Sequence, residues 1–211
     1  MRRLYILVQT LRCRLHCQLA AIIRAVLLGL VMTVSAQTVM ADDMDKANEA
    51  FERADYAAAA GYLRPLAEAG DVMAQMRLGV LHHDGLGVDQ DDAEAIRWWR
   101  KAADQGYADA EYAVGLCYDH GRGVSRDQAE AARWYEMAAT QGHAEAQASL
   151  GLLHAFGEGM SRDLVLAWLW LSLAAGQGND TARETLAAVS ADMTADQLAE
   201  ARKRLQEFQG Q

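Results

Sequence analysis

The stretch Asp71–Gly106, DVMAQMRLGVLHHDGLGVDQDDAEAIRWWRKAADQG, decides the fold because related versions of it follow twice more in the chain. A shift of 36 residues aligns it without a gap to residues 107–142, and a second shift aligns it to residues 143–178. Self-similarity at a fixed period of roughly 20 to 50 residues is the sequence signature of a repeat protein. The coinciding residues are Gly79, Gly115 and Gly151; Gly85, Gly121 and Gly157; Gly87, Gly123 and Gly159; Asp91, Asp127 and Asp163; and Trp98, Trp134 and Trp170.

Each unit predicts two helices joined by a glycine-rich loop. Apolar residues recur at helical spacing from about Asp71 to Asp84, which predicts the first helix. Gly79 within it costs about 1 kcal/mol relative to alanine, so its recurrence in every unit predicts a close approach between helices. Gly85 and Gly87 are expected to end this helix, because glycine readily adopts the left-handed conformation of a helix C-terminus.

The second helix of each unit has a predicted N-cap. Asp91 stands before an apolar run and Glu94 follows three residues later, which is the pattern of a capping box. Residues 127–130 repeat this pattern, whereas the third unit keeps the aspartate, Asp163, without the following acid. The sequence therefore predicts the same helix start in all three units.

One motif runs through the units, and in the first it reads Leu78-Gly79-x-x-His82, Gly85-x-Gly87-Val88, Asp91-x-x-x-Ala95-x-x-Trp98-Trp99-x-x-Ala102-Ala103-x-x-Gly106. This motif resembles the Sel-one-like repeat, a branch of the tetratricopeptide-like superfamily. The second unit fits the pattern well; in the third, Met160 replaces the loop valine and residues 167–171 are more apolar. The resemblance implies an all-α fold, a right-handed α-solenoid of helix-turn-helix repeats with helical caps.

The flanking segments predict these caps. Residues 42–70 are interpreted as a degenerate tetratricopeptide-like capping repeat, in which Pro65 should kink or begin the second helix. Residues 71–106, 107–142 and 143–178 are then the three repeats, and residues 179–211 hold capping helices. Residues 179–189 continue the apolar register as one more first helix, and Thr194 with Gln197 predicts a capping box for the last helix.

The N-terminal 41 residues have the pattern of a cleaved signal peptide. They contain five arginines and no acid, followed by an apolar run of about ten residues and by small-residue sites that end at Ala36 and Ala41. The run is shorter than the roughly 20 residues needed to span a membrane. The pattern therefore predicts export to the periplasm or secretion, with cleavage after Ala36 or Ala41 or retention as an anchor left open.

Charge argues against one class of partner. The signal-like segment holds five of the 20 basic side chains and none of the 29 acidic ones, so residues 42–211 carry a net charge of −14. Proteins that bind nucleic acid need a basic surface to displace phosphate counterions. We therefore expect no nucleic-acid partner.

The sequence offers little chemistry for catalysis or for a cofactor. His82 and His83 point about 100° apart on a helix, so they are poorly placed to share a metal, and His82 occupies the packing slot of Tyr118 and His154. No serine or threonine has a lysine three residues on, and no phosphate-binding glycine loop occurs. Cys117, the single cysteine beyond the signal-like segment, lies on an apolar stripe and is expected to be buried and inert. The chain is predicted to be no enzyme and to hold no metal or cofactor.

A stripe beside the packing face of the first helices is the candidate partner-binding groove. Apolar and aromatic side chains rimmed by carboxylates often mark binding sites, and right-handed stacking would turn this stripe to the concave side. The alternative is that these side chains pack between adjacent repeats. The stripe consists of Met73, Met76, Val80 and His83, of Asp109, Tyr112, Leu116 and Asp119, and of Glu145, Ala148 and Leu152.

These observations predict a non-enzymatic adaptor of the bacterial envelope. The carboxylates favour a partner protein or peptide with a basic segment; the alternative is that the acidity serves solubility alone. Resemblance to envelope members of the family implies a role in signalling, polysaccharide production or export, or envelope assembly. The alternatives are a β-lactam-related hydrolase, as has been linked to some members of the family, and self-association through Trp168, Trp170 and Leu171.

Overall fold

The computed structural model describes residues 41–210, and their regular secondary structure is entirely helical. The predicted signal peptide, with Cys13 and Cys17, lies outside the described residues except for Ala41. The chain divides into two units after Lys46, and the second begins at Ala47. The helices are α1 at residues 41–52, α2 at Tyr56–Glu68, α3 at Val72–Asp84, α4 at Asp92–Ala103, α5 at Ala108–His120, α6 at Gln128–Thr140, α7 at Ala144–Phe156, α8 at Leu164–Gly176, α9 at Asp180–Asp192 and α10 at Ala195–Gln209.

The second unit is a linear stack of helix pairs. The two helices of each repeat pack together, as α3 with α4, α5 with α6 and α7 with α8. Each second helix also packs against the first helix of the following pair, from α2 with α3 to α8 with α9. The predicted all-α repeat fold is confirmed, and its right-handedness stays a prediction.

The predicted helix starts are confirmed, with one correction. Asp91 accepts hydrogen bonds from the backbone of Ala93 and Glu94, and Asp127 and Asp163 cap α6 and α8 in the same way. The glutamates do not complete the expected boxes, because Glu94 pairs with Arg97 and Glu130 bonds Arg133. The capping box predicted for the last helix, between Thr194 and Gln197, is present.

The mid-helix glycines make room mainly for a large side chain of the paired second helix, with its backbone also close at Gly151. A Cβ atom at Gly79 would lie 2.4 Å from the Trp99 ring, and one at Gly115 would lie 2.6 Å from the Tyr135 ring. At Gly151 the neighbour is Leu171, at 2.7 Å. The predicted close approach is therefore real, but its second partner is a large residue of the paired second helix.

The loop glycines join one repeat to the next. Gly87, Gly123 and Gly159 have positive φ, and each lies against the N-terminal backbone of the second helix in the preceding pair. A Cβ atom at Gly123 would lie only 2.4 Å from the carbonyl oxygen of Asp92. These glycines thus permit the loop to lie directly on the neighbouring repeat. The local sequence predicts only that the glycines end a helix and does not indicate this contact.

Of the two roles predicted for Pro65, the start of the second helix is wrong and the kink stays a prediction. Pro65 lies inside α2 and neither begins nor ends it, since α2 starts at Tyr56 with Asp55 as its N-cap. Pro65 is exposed, while Leu63, Leu66 and neighbouring alanines bury the opposite face. Packing of this face against α3 holds the helix together across the proline.

The C-terminal cap ends the stack. As predicted, α9 continues the first-helix register, with Asn179 as its N-cap. Ala187 takes the position of Gly151, so its Cβ fills the space into which a following second helix would place a large side chain. Accordingly α10 packs against α8, where Phe208 meets the Trp170 ring at a centroid distance of 5.5 Å.

Candidate functional site

The central part of the predicted groove packs between repeats. Met76 and Val80 lie half-buried against the core of α4 and α5, and Tyr112 and Leu116 lie against the core of α6 and α7. Ala148 is buried, at 6% exposure, and Leu152 is half-buried. These side chains make the contacts that the alternative interpretation of the stripe describes.

The upper part of the stripe is open to solvent. Met73 is 42% exposed, and the side chains of Asp109 and Glu145 are 56% and 60% exposed. The three residues are spaced 36 apart in the first turns of α3, α5 and α7, and we call them the exposed edge. A carboxylate at a helix N-terminus is stabilised by the helix dipole, so both acids suit these positions without requiring a cation.

An aromatic pair lies beside this edge. The rings of Tyr112 and His143 are 4.7 Å apart, and the Tyr135 ring lies behind Tyr112 at 5.6 Å. His143 is 3.5 Å from Asp109 Oδ1 and 3.4 Å from Glu145 Oε2. The two tilted rings lie beside two largely exposed carboxylates, which are groups that bind a guanidinium or ammonium ion.

Hydrogen bonding defines the chemical state of this pair. The Nδ1 atom of His143 accepts a hydrogen bond from the backbone of Ala146, so in neutral His143 the proton is on Nε2, which faces Asp109. Burial raises the pKa of Tyr112, which keeps its phenol neutral. The site therefore presents a neutral phenol beside the side chains of His143, Asp109 and Glu145.

The lower part of the stripe is engaged within the chain. His83 Nδ1 lies 2.6 Å from Asp92 Oδ1, and the His83 ring packs near Trp99. The Tyr135 hydroxyl donates to Asp119 over 3.4 Å. These contacts join the end of a first helix to the second helix of the same repeat, so His83 and Asp119 have structural partners.

Sequence reasoning missed His143. It stands at the position of Asp71 and Asn179, where it caps α7. The 36-residue period places His143 at the position of those two N-caps, and this could have indicated its capping role. Its stacking on Tyr112, 31 positions earlier in the sequence, could not be derived from that equivalence.

The groups considered for catalysis are buried. Cys117 is 2% exposed, and burial raises the pKa of its thiol to about 11, so the reactive thiolate is scarce at neutral pH. His82 is 8% exposed, in the packing position expected for it. Between residues 41 and 210, no group of three or more His, Cys, Asp or Glu side chains is arranged to hold a metal ion.

The residues proposed for self-association are occupied within the chain. Trp170 and Leu171 are buried, and Trp168 donates its indole proton to Ser190 over 3.0 Å. Phe156, 68% exposed, is the most exposed large apolar residue in the described part of the chain, and it lines a cleft of about 260 Å³ with Leu164 and Val189. Any apolar contact surface at this end of the stack would therefore centre on Phe156.

One family model and two solved structures match the repeats of this chain. A family model described as Sel1 repeat matches residues 72–107, 108–143 and 144–179. The crystal structure of a Sel1 repeat protein from Oxalobacter formigenes superposes with a TM-score of 0.63 at 34% identity, over 66% of this chain and 58% of that one. A protective antigen of uropathogenic Escherichia coli with an SLR fold superposes with a TM-score of 0.66 at 33% identity, over 72% of this chain and 32% of that one. The match thus spans less than two thirds of either relative, and no curated protein matches the chain.

Proposed function

Since the chain belongs to the Sel1 repeat family, whose repeats are generally protein–protein interaction modules, we propose that it is a non-enzymatic adaptor that binds a partner protein or peptide. The proposed site is the exposed edge together with Tyr112 and His143. The other stripe residues (Met76, Val80, His83, Leu116, Asp119, Ala148 and Leu152) form the packed support beneath it. The observation that carries this proposal is the stacked aromatic pair between two largely exposed carboxylates.

The proposed partner carries a lysine or arginine in the bound segment. Asp109 and Glu145 would each add an ion pair of about 0.2 to 1 kcal/mol. The net charge of −14 over residues 42–211 would steer such a segment toward the protein.

The proposal includes a domain organisation of caps and repeats. Residues 42–70 serve as the N-terminal capping repeat, and residues 71–106, 107–142 and 143–178 serve as three binding repeats. Residues 179–211 serve as the C-terminal cap. Ala187 at the glycine position and the packing of α10 on α8 support this assignment.

Neutralising the exposed edge should weaken partner binding about tenfold, since two exposed ion pairs are lost. The test is crosslinking of the C-terminally tagged protein in intact cells, with recovered partners quantified for wild type and for Asp109→Asn/Glu145→Gln. The matched control is Asp196→Asn/Glu207→Gln, which removes the same charge from α10. Equal recovery from the edge variant and wild type, with unchanged thermal midpoints, would exclude the exposed edge as the binding surface.

We also propose that the protein works in the periplasm or is secreted, in signalling, polysaccharide production or export, or envelope assembly. The arginine-rich N-terminal segment and its apolar run support export. From residue 41 to residue 210, none of the helices combines the length and the hydropathy that crossing a membrane requires. N-terminal sequencing of the protein from fractionated cells should read from Asp42 or Gln37, whereas an intact Met1 in the cytosolic fraction would contradict export.

A hydrolase remains the weaker candidate, because no observation on residues 41–210 favours it. A β-lactam reporter should show no turnover with the purified protein.

A further inference from the structure

A buried polar position recurs in the first helix of every repeat. It is occupied by Gln75, Glu111 and Gln147, each no more than 3% exposed. Each accepts a hydrogen bond from the glutamine that stands near the end of its own repeat. The donors and distances are Gln105 to Gln75 at 2.9 Å, Gln141 to Glu111 Oε2 at 2.7 Å, and Gln177 to Gln147 at 2.8 Å.

In the outer repeats the same side chain makes a second hydrogen bond. The Nε2 atom of Gln75 donates to the Ala67 carbonyl, and the Nε2 atom of Gln147 donates to the Ala139 carbonyl, both over 3.0 Å. Each bond ties a first helix to the second helix of the preceding pair, α3 to α2 and α7 to α6. We call this bond the repeat link.

Glu111 breaks the series. The matching carbonyl is that of Ala103, at the end of α4, 36 residues from both Ala67 and Ala139. A carboxylate has no proton to donate, so ionised Glu111 can make the bond with Gln141 but not the repeat link. Glu111 stands at the sequence position of Gln75 and Gln147, so the Ala103 carbonyl is the acceptor that a repeat link would use here.

We propose that Glu111 forms a protonation-dependent link between α4 and α5. Protonated Glu111 donates its carboxyl proton to the Ala103 carbonyl and reproduces the repeat link of the outer repeats. Loss of that proton to solvent leaves two oxygen acceptors opposite each other in a buried site, so the link opens. A change of pH thus makes or breaks the hydrogen bond between α4 and α5, in the middle of the stack.

The surroundings of Glu111 favour the protonated form. Burial raises its pKa, and the hydrogen bond from Gln141 lowers the pKa by less. Among the described residues, no charged or titratable side chain of α4, α6 or the connection before α5 contributes to this shift. The dipole of α5 favours the carboxylate, since Glu111 lies in the first turn, but a dipole acts weakly against burial.

The direction of the pH effect follows from this shift. The pKa of Glu111 is higher in the folded chain than in the unfolded chain, so the folded chain binds more protons between the two values. The stability that this group contributes is complete below the unfolded value of 4.5 and is lost as the pH rises through the folded value.

The test is urea unfolding of the full chain and of Glu111→Gln from pH 4.5 to pH 8. The variant always has an amide proton to donate, so its folded-to-unfolded ratio should exceed that of wild type by about tenfold at pH 8. The two proteins should converge toward pH 4.5. A difference that stays constant over this range, or a variant no more stable than wild type at pH 8, would overturn the proposal.

A reciprocal variant tests the same link without altering Glu111. Gln147→Glu introduces the carboxyl opposite the Ala139 carbonyl and should make the protein lose stability as the pH rises. Glu184→Gln, at an exposed position on α9, is the control and should show the pH profile of wild type. A Gln147→Glu variant that also follows the wild-type profile would contradict the proposed chemistry of the link.

Discussion

Replacing Gly115 by leucine should lower the free energy of unfolding by about 3 kcal/mol, the upper part of the range for overpacking a core. The Cβ alone would lie 2.6 Å from two ring carbons of Tyr135, far inside contact distance. Tyr135 has no room to move, because it is 1% exposed and its hydroxyl donates to Asp119. Relief would require α5 and α6 to separate, which would also open the core between them.

Urea unfolding followed by circular dichroism measures this loss. The matched control is Gly61→Leu, since Gly61 is also inside a helix but has no atom within 4 Å of its Cβ position. That control should be neutral or stabilising, because leucine favours a helix more than glycine does. Similar midpoints for Gly115→Leu and wild type would disprove the steric role of Gly115.

The second large effect is expected at Gly123. Changing it to alanine should lower the free energy of unfolding by about 3 kcal/mol or more, through two additive causes. The residue has φ of +68°, which is strained for any residue with a Cβ. The added Cβ would also lie 2.4 Å from the Asp92 oxygen and 2.8 Å from the Ala93 nitrogen, both of them backbone atoms.

Gly106→Ala separates these two causes. Gly106 has a similar φ of +79° but no atom within 4 Å of its Cβ position, so this variant should lose only the conformational part, about 1 to 2 kcal/mol. Thermal unfolding of both variants gives the comparison. If Gly106→Ala and Gly123→Ala lose equal stability, the loop of the second repeat does not depend on close contact with α4.

The contact at Gly123 has a further consequence for cooperativity. In a repeat protein each unit is stabilised mainly by its nearest neighbours. Separation of the second repeat from the first should therefore let the two sides of the break unfold at different urea concentrations. A broadened or two-step transition for Gly123→Ala, against a single step for Gly106→Ala, is the expected result.

The candidate site shows where sequence reasoning was sufficient and where it was not. The acids at positions 109 and 145 are exposed, as the rim of a binding stripe should be. Tyr112, three residues from Asp109, is instead packed on the next repeat. Helical spacing places Asp109 and Tyr112 on one side of α5. The packing of α5 against its neighbours decides which of the two side chains reaches solvent.

What the amino-acid sequence determined by itself was the repeat period, the approximate bounds of the repeat helices and the N-caps of the second helices. Each of these depends on hydrogen bonds and φ values within a few residues, such as Asp91 with Ala93, so a local pattern is enough. Only the tertiary structure decided that Gly123 lies on α4, that α10 packs on α8 and that Gln141 bonds the buried Glu111. These contacts join separate helices. Their atoms are brought together by the stacking of the repeats and not by residues close in sequence. Pro65 shows the limit of a local pattern, because the sequence allowed either a kink or a helix start there, and Pro65 lies inside α2, which packs on α3.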